Sequence, residues 1–178
     1  GRLEAADVFM DRYYFKHLRL IDRTMNQEVI HQIVNIMIDM ENITTLIRAT
    51  KQKQSRSFLI GVLSSEGTVD KTLLIDEVLE KGTEALIDLY RHVPYYDKIV
   101  AILEQEEHPV FALELLKEEL IHRILEEATF EPFGPLPSLA YIHALEMEVK
   151  NLRLLLVGVD NEFTEEQLRE RMRPVYVS

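Results

Sequence analysis

The sequence predicts an all-α fold built from two similar helical repeat domains. Gly and Pro number six each in 178 residues, apolar positions recur at spacings of three and four, and strand-like alternation persists nowhere for long. The pattern also occurs twice. Residues 39–47 (DMENITTLI) overlay residues 148–156 (EVKNLRLLL) at an offset of 109. Upstream, Asp7 and Asp11 fall over Glu114 and Glu118; downstream, Val69 and Leu74 fall over Phe163 and Leu168, in the same order. A tandem helical repeat with domains at 1–108 and 109–178 is the reading; chance overlay of two amphipathic helices is its rival.

The elements follow in chain order. A first helix is expected over 3–20. The longest periodic stretch, 27–48, places Val29, Ile33, Ile36, Met37, Met40 and Ile43 on one face at about 100° per residue. Thr24 with Gln27 has capping-box spacing at its start. A basic stretch and the apolar residues 58–60 lead to a break at Gly67. Helices are expected over 69–81, stopped by Gly82, and over 83–91. Pro94 separates the next, 95–105, and Pro109 opens another to 128. Residues 131–137 (EPFGPLP) cannot continue it, because prolines remove amide donors. A second long helix is expected over 138–157, and Thr164 with Gln167 repeats the capping spacing before a last helix to Met172.

Composition excludes several functions. Lys and Arg total 20 against 31 Asp and Glu, a formal charge of −11, whereas nucleic-acid binding draws on a clustered basic surface. With no cysteine there is no thiolate zinc site, iron–sulfur centre or cysteine nucleophile. The longest uncharged run, 132–145, is 14 residues and carries Pro and Gly, too short for a membrane span of about 20. Gly61 and Gly67 lack a following Lys, so no phosphate-cradling loop is present and no nucleotide is expected; no serine-hydrolase elbow occurs either. Residues 1–4 read as the cut edge of something longer.

One enzymatic reading remains. Glu28 with His31 and Glu119 with His122 both spell E-x-x-H on predicted helices, a pattern that holds two metal ions in some carboxylate bundles. The apolar face of the first helix lies roughly 150° from Glu28 and His31, and Leu113, Leu116, Leu120 and Ile124 set the second helix's main apolar face away from Glu119 and His122. Both pairs are therefore expected to point mostly to solvent. Residues 104–131 hold nine Glu against Lys117 and Arg123, a solvated face or a docking surface for a basic partner. Arg48, Lys51, Lys53 and Arg56 form a basic patch with no acid between Asn42 and Ser65. Tyr13, Tyr14, Phe15, Tyr95 and Tyr96 are expected in packing. Asn42 and Asn151, in apolar surroundings, are expected to tie their helices to neighbouring backbone.

Residues 132–142 (PFGPLPSLAYI), 148–156, 168–173 (LRERMR) and the terminal Tyr176 and Val177 resemble the C-terminal region of the C subunit of the prokaryotic V-type (A-type) ATPases, known in eukaryotes as the d subunit. Residues 39–48 (DMENITTLIR) look like the corresponding motif of the preceding domain. The resemblance runs from about residue 7 to the C-terminus. It implies the last two of three helical domains around a central cavity, in a funnel, with the first domain missing. It also implies a non-catalytic, cytoplasmic rotor component, peripheral to the membrane and without cofactor. Such a component joins the rotor shaft to the membrane-embedded ion-carrying ring and couples ATP hydrolysis or synthesis to H⁺ or Na⁺ transport. Partner-contact candidates are Arg48, Lys51, Lys53 and Arg56, with Arg153, Arg169, Arg171 and Arg173 near the C-terminus. The alternatives are a di-metal carboxylate enzyme on Glu28, His31, Glu119 and His122, or a generic helical-repeat adaptor.

Overall fold

The computed structural model describes residues 2–128, with side chains from Tyr13 onward. Among these residues there are seven α-helices and no strand: α1 (Arg2–Met25), α2 (Glu28–Lys51), α3 (Arg56–Val62), α4 (Lys71–Lys81), α5 (Ala85–Leu89), α6 (Tyr96–Gln105) and α7 (Pro109–Ala128). The expected helix over 138–157, the one ending at Met172, the 131–137 connection and the second copy of the repeat lie outside the described residues.

α2 is the central element. Beyond the predicted face, Ile30, Val34, Ile38, Leu46 and Ile47 on its other sides are also buried. A helix apolar all round must be covered all round. α7 packs along it most extensively, and α1, α3 and α4 also touch it. Leu18 of α1, Leu59 of α3, Leu74 and Ile75 of α4, Leu86 of α5, Ile99 of α6 and Leu113 of α7 complete the core. Arg48 lies beside Glu114 at one end, while Glu28 and Glu127 share a cleft at the other, so α2 and α7 run antiparallel.

Local chemistry sets the ends. The Thr24–Gln27 capping box does not form: α1 continues through Met25, and the Thr24 hydroxyl donates to its own helix at Leu20 O, 2.8 Å. Asn26, at φ +47°, makes the turn instead, as its short amide tolerates the left-handed region. Gln27 precedes α2 without a side-chain cap. Residues 58–60 belong to a helix, α3, whose start is capped by Ser55 Oγ accepting from Phe58 N–H. Asp70 caps α4 in the same way through Leu73 N–H. Gly82 ends α4 at φ +83°, a conformation open to glycine.

The α2 C-terminus is a Schellman turn: Gln54 N–H donates to Ala49 O and Lys53 N–H to Thr50 O. Its left-handed residue is Lys53, at φ +54°, where glycine is the usual occupant. Tyr13 departs from the expected packing. Tyr14 and Phe15 are buried, but Tyr13 is 68% exposed, because successive helical residues point about 100° apart and three aromatics cannot share one face.

Candidate functional site: a polar clasp and a basic corner

Asp39 and Asn42 lie one turn apart on α2, both buried. Asn42 pairs with Ser64 twice: its Oδ1 accepts from Ser64 N–H at 2.9 Å, and its Nδ2 donates to Ser64 O at 3.0 Å. The expected tie to neighbouring backbone is thus present at Asn42; Asn151 lies outside the described residues. Asp39 grips the same loop four residues on. Thr68 N–H donates to Oδ1 at 2.8 Å and the Thr68 hydroxyl to Oδ2 at 2.6 Å. With that hydroxyl proton committed, its oxygen accepts from His92 Nε2–H at 2.8 Å, which assigns the histidine tautomer. Burial raises the Asp39 carboxyl above its ordinary range, and the Thr68 hydrogen bonds offset part of that rise.

Gly67 closes the clasp. A Cβ there would stand 2.8 Å from Asp39 Oδ1 and 3.1 Å from Asn42 Nδ2, so the loop comes this close only without a side chain.

α1 holds the loop from the other side. Arg19, nearly buried, donates through Nη1 to Asp22 at 2.8 Å and through Nη2 to Asn35 Oδ1 at 2.8 Å and Glu66 O at 2.6 Å. His31 Nδ1 donates to the same Asp22 carboxylate at 2.9 Å, and its Nε2 accepts from Asn35 at 3.2 Å. Two open clefts flank this network, of about 860 Å³ beside Arg19 and Arg23 and about 670 Å³ beside His92 and Tyr95. Thr68, Gly67, Ser64, His92, Arg19 and Asp22 were not singled out from the sequence as a site. The available signal was the polar pair Asp39 and Asn42 on an apolar helix, facing a polar loop (SSEGT, 64–68).

The E-x-x-H side chains are engaged separately. Glu119 takes Lys98 at 3.1 Å and Arg123 at 2.8 Å, which hold its carboxyl below the ordinary range. His122 lies 3.1 Å from Glu126, and Glu28 accepts from Gln32. Both histidines are more than half exposed. Among the described residues, no three His, Cys, Asp or Glu side chains are placed to hold one metal ion.

The basic residues gather where α2 ends and α3 begins. Arg48 lies 3.9 Å from Glu114, and Arg56 donates to Asp76 at 2.7 Å. Lys51 and Lys53 are exposed and form no ion pair among the described residues. Arg153, Arg169, Arg171 and Arg173 lie outside the described residues. No described helix is long and apolar enough to cross a membrane.

The profile of the family described as ATP synthase (C/AC39) subunit matches residues 1–171. The chain is 34% identical to the C subunit of the V-type sodium ATPase of Enterococcus hirae over 98% of its own length and 53% of the relative's. It is 29% identical to the C subunit of the A-type ATP synthase of Desulfurococcus over 96% and 48%, and 24% identical to that of Methanosarcina acetivorans over 92% and 46%. The chain therefore spans about half the length of these relatives. No solved structure matches. On this match, which covers the Asp39–Asn42 clasp and the basic corner alike, the chain belongs to the ATP synthase (C/AC39) subunit family.

Proposed function

We propose that this chain acts as a non-catalytic central-rotor component of a V-type (A-type) rotary ATPase, joining the rotor shaft to the membrane ion-carrying ring. The observation that carries the reading is the family match over residues 1–171, with relatives named as the C subunits of V-type and A-type enzymes. In this role it sits on the cytoplasmic side, couples ATP hydrolysis or synthesis to ion transport, and neither hydrolyses nucleotide nor carries the ion. The 1–108 and 109–178 halves act as two repeats of one rigid spacer.

The packing supports a mechanical role. Torque passes through a body only if its parts do not slide, and a close-packed helical core resists that deformation. Here the loop between α3 and α4, the longest interhelical loop among the described residues, is fixed to α2 by Asp39 and Asn42 and to α1 by Arg19. The basic corner at Arg48, Lys51, Lys53 and Arg56 supplies a cationic contact for an acidic partner surface, and Arg153, Arg169, Arg171 and Arg173 a second. Mixing the full-length protein with purified shaft subunits tests the proposal by size exclusion and calorimetry. A stoichiometric complex is expected; no complex at low salt contradicts it.

A further inference from the structure

α7 carries apolar side chains on two sides. Leu113 and Leu116 are buried in the core that α7 shares with α2. Phe111 and Leu115, about 150° away round the helix at 100° per residue, are 67% and 52% exposed. Exposed His122 continues their line two turns on. A lone exposed apolar residue is ordinary, but a pair one turn apart on a helix already buried on its other side marks a face that another element covers.

The first copy of the repeat shows how such a face is used. α1 lies antiparallel to α2: Asp22 meets His31 at 2.9 Å, and one turn back on α1, Arg19 meets Asn35, one turn on along α2, at 2.8 Å. Phe15 and Leu18, on the same side of α1, are buried. The offset of 107 that sets Asp7 and Asp11 over Glu114 and Glu118 carries Phe15, Leu18, Arg19 and Asp22 to His122, Leu125, Glu126 and Thr129. The side of α7 bearing Phe111 and Leu115 is thus the counterpart of the side of α1 that meets α2. At the offset of 109, the buried Ile30, Ile33, Ile36, Met40, Ile43 and Leu46 of α2 become Leu139, Ile142, Leu145, Val149, Leu152 and Leu155. All six stay apolar, so the second segment needs cover as α2 does.

We infer that the Phe111–Leu115 face of α7 is the docking surface for residues 138–157 of the same chain, antiparallel to α7, with Leu155 opposite Leu115. The register comes from the Arg19–Asn35 contact, whose counterpart is Glu126 with Ala144; eleven residues back on α7 and eleven forward on the segment bring Leu115 to Leu155. Only residues 129–137 intervene, and a tether this short gives an effective concentration on the order of millimolar, which favours this occupant over a second copy. The inference rests on the two-repeat reading and not on the rotor role, so it is tested on the isolated protein, without shaft subunits.

The chain has no cysteine, which makes disulfide trapping in the full-length protein clean. Leu115→Cys with Leu155→Cys should close an intrachain disulfide under mild oxidation, since the bond forms only when the two Cα atoms come within about 7 Å. Leu115→Cys with Leu145→Cys, displaced by about 15 Å along the helix, should not. Hydroxyl-radical oxidation of the wild-type protein, read by mass spectrometry, needs no substitution: Phe111 and Leu115 should react several-fold more slowly than Leu79, which is exposed on α4. The inference is overturned by no disulfide at 155 in a folded variant or by equal yield at 145. It is also overturned by dimers linked through Leu115→Cys alone, which assign the face to a second copy. Phe111 and Leu115 oxidised as fast as Leu79 in the isolated protein overturn it as well, leaving the face to another subunit.

Discussion

Gly67→Ala tests the clasp with one methyl group. The added Cβ would meet Asp39 Oδ1 at 2.8 Å and Asn42 Nδ2 at 3.1 Å, with Ile38 Cγ2 at 3.6 Å. The first distance is below any ordinary carbon–oxygen contact, so the carboxylate or the loop must move. Neither can move freely: Oδ1 accepts from Thr68 N–H, and Nδ2 donates to Ser64 O. Loss of one buried bond to a charged acceptor, with partial loss of a neutral one, costs about 2–4 kcal/mol. That corresponds to about 5–15 °C in the thermal midpoint for a chain of this size. Gly82→Ala is the internal control. Nothing lies within 4 Å of its added Cβ, but its φ of +83° imposes backbone strain of about 1–3 kcal/mol. Urea unfolding followed by circular dichroism measures both. A Gly67→Ala variant within about 0.5 kcal/mol of wild type, the range of neutral surface substitutions, would refute the account of the clasp.

Asn42→Ala leaves Ser64 N–H and C=O buried without their partner and is expected to cost about 2–4 kcal/mol in the same assay. Asp39 carries a pH signature. Its carboxyl is raised in the folded state, so its protonated form is favoured by folding. The stability of wild type relative to Asp39→Asn should be greatest below pH 3.8 and fall as pH rises through the folded value; a difference that grows with pH across that window refutes dominance by burial. Lys53→Gly relieves a left-handed lysine and should stabilise the fold by about 1 kcal/mol in urea unfolding; a variant no more stable than wild type refutes the strain at this position. Charge reversal at Lys51 and Lys53 should weaken assembly most at low salt with the helical circular dichroism intact, and equal binding at low salt excludes the pair.

The helices were legible because their apolar spacing is local and long. Gly82 and Pro109 marked boundaries where the structure has them, since each acts through its own backbone. The Thr24–Gln27 box misled because spacing alone does not show which residue turns the chain; Asn26, at φ +47°, does so. The α3 helix was hidden behind an apolar run, although Ser55, three residues before Phe58, carried its cap. Asn42 was legible as a buried amide that needs a partner. Its partner Ser64, 22 residues away, and Thr68, 29 residues from Asp39, were not, because tertiary approach across a loop leaves no periodic trace. Arg19 was missed for the same reason: nothing local distinguishes a cation buried by three acceptors from one on a solvated face.

Mechanical coupling is read most directly in membranes stripped of this protein and then reconstituted with the full-length chain. ATP hydrolysis and ATP-driven ion transport are measured in parallel. Without the protein, ATP hydrolysis is expected to persist while ion transport is lost, and adding the protein back is expected to restore transport. Undiminished ATP-driven transport in its absence would contradict the proposed coupling role.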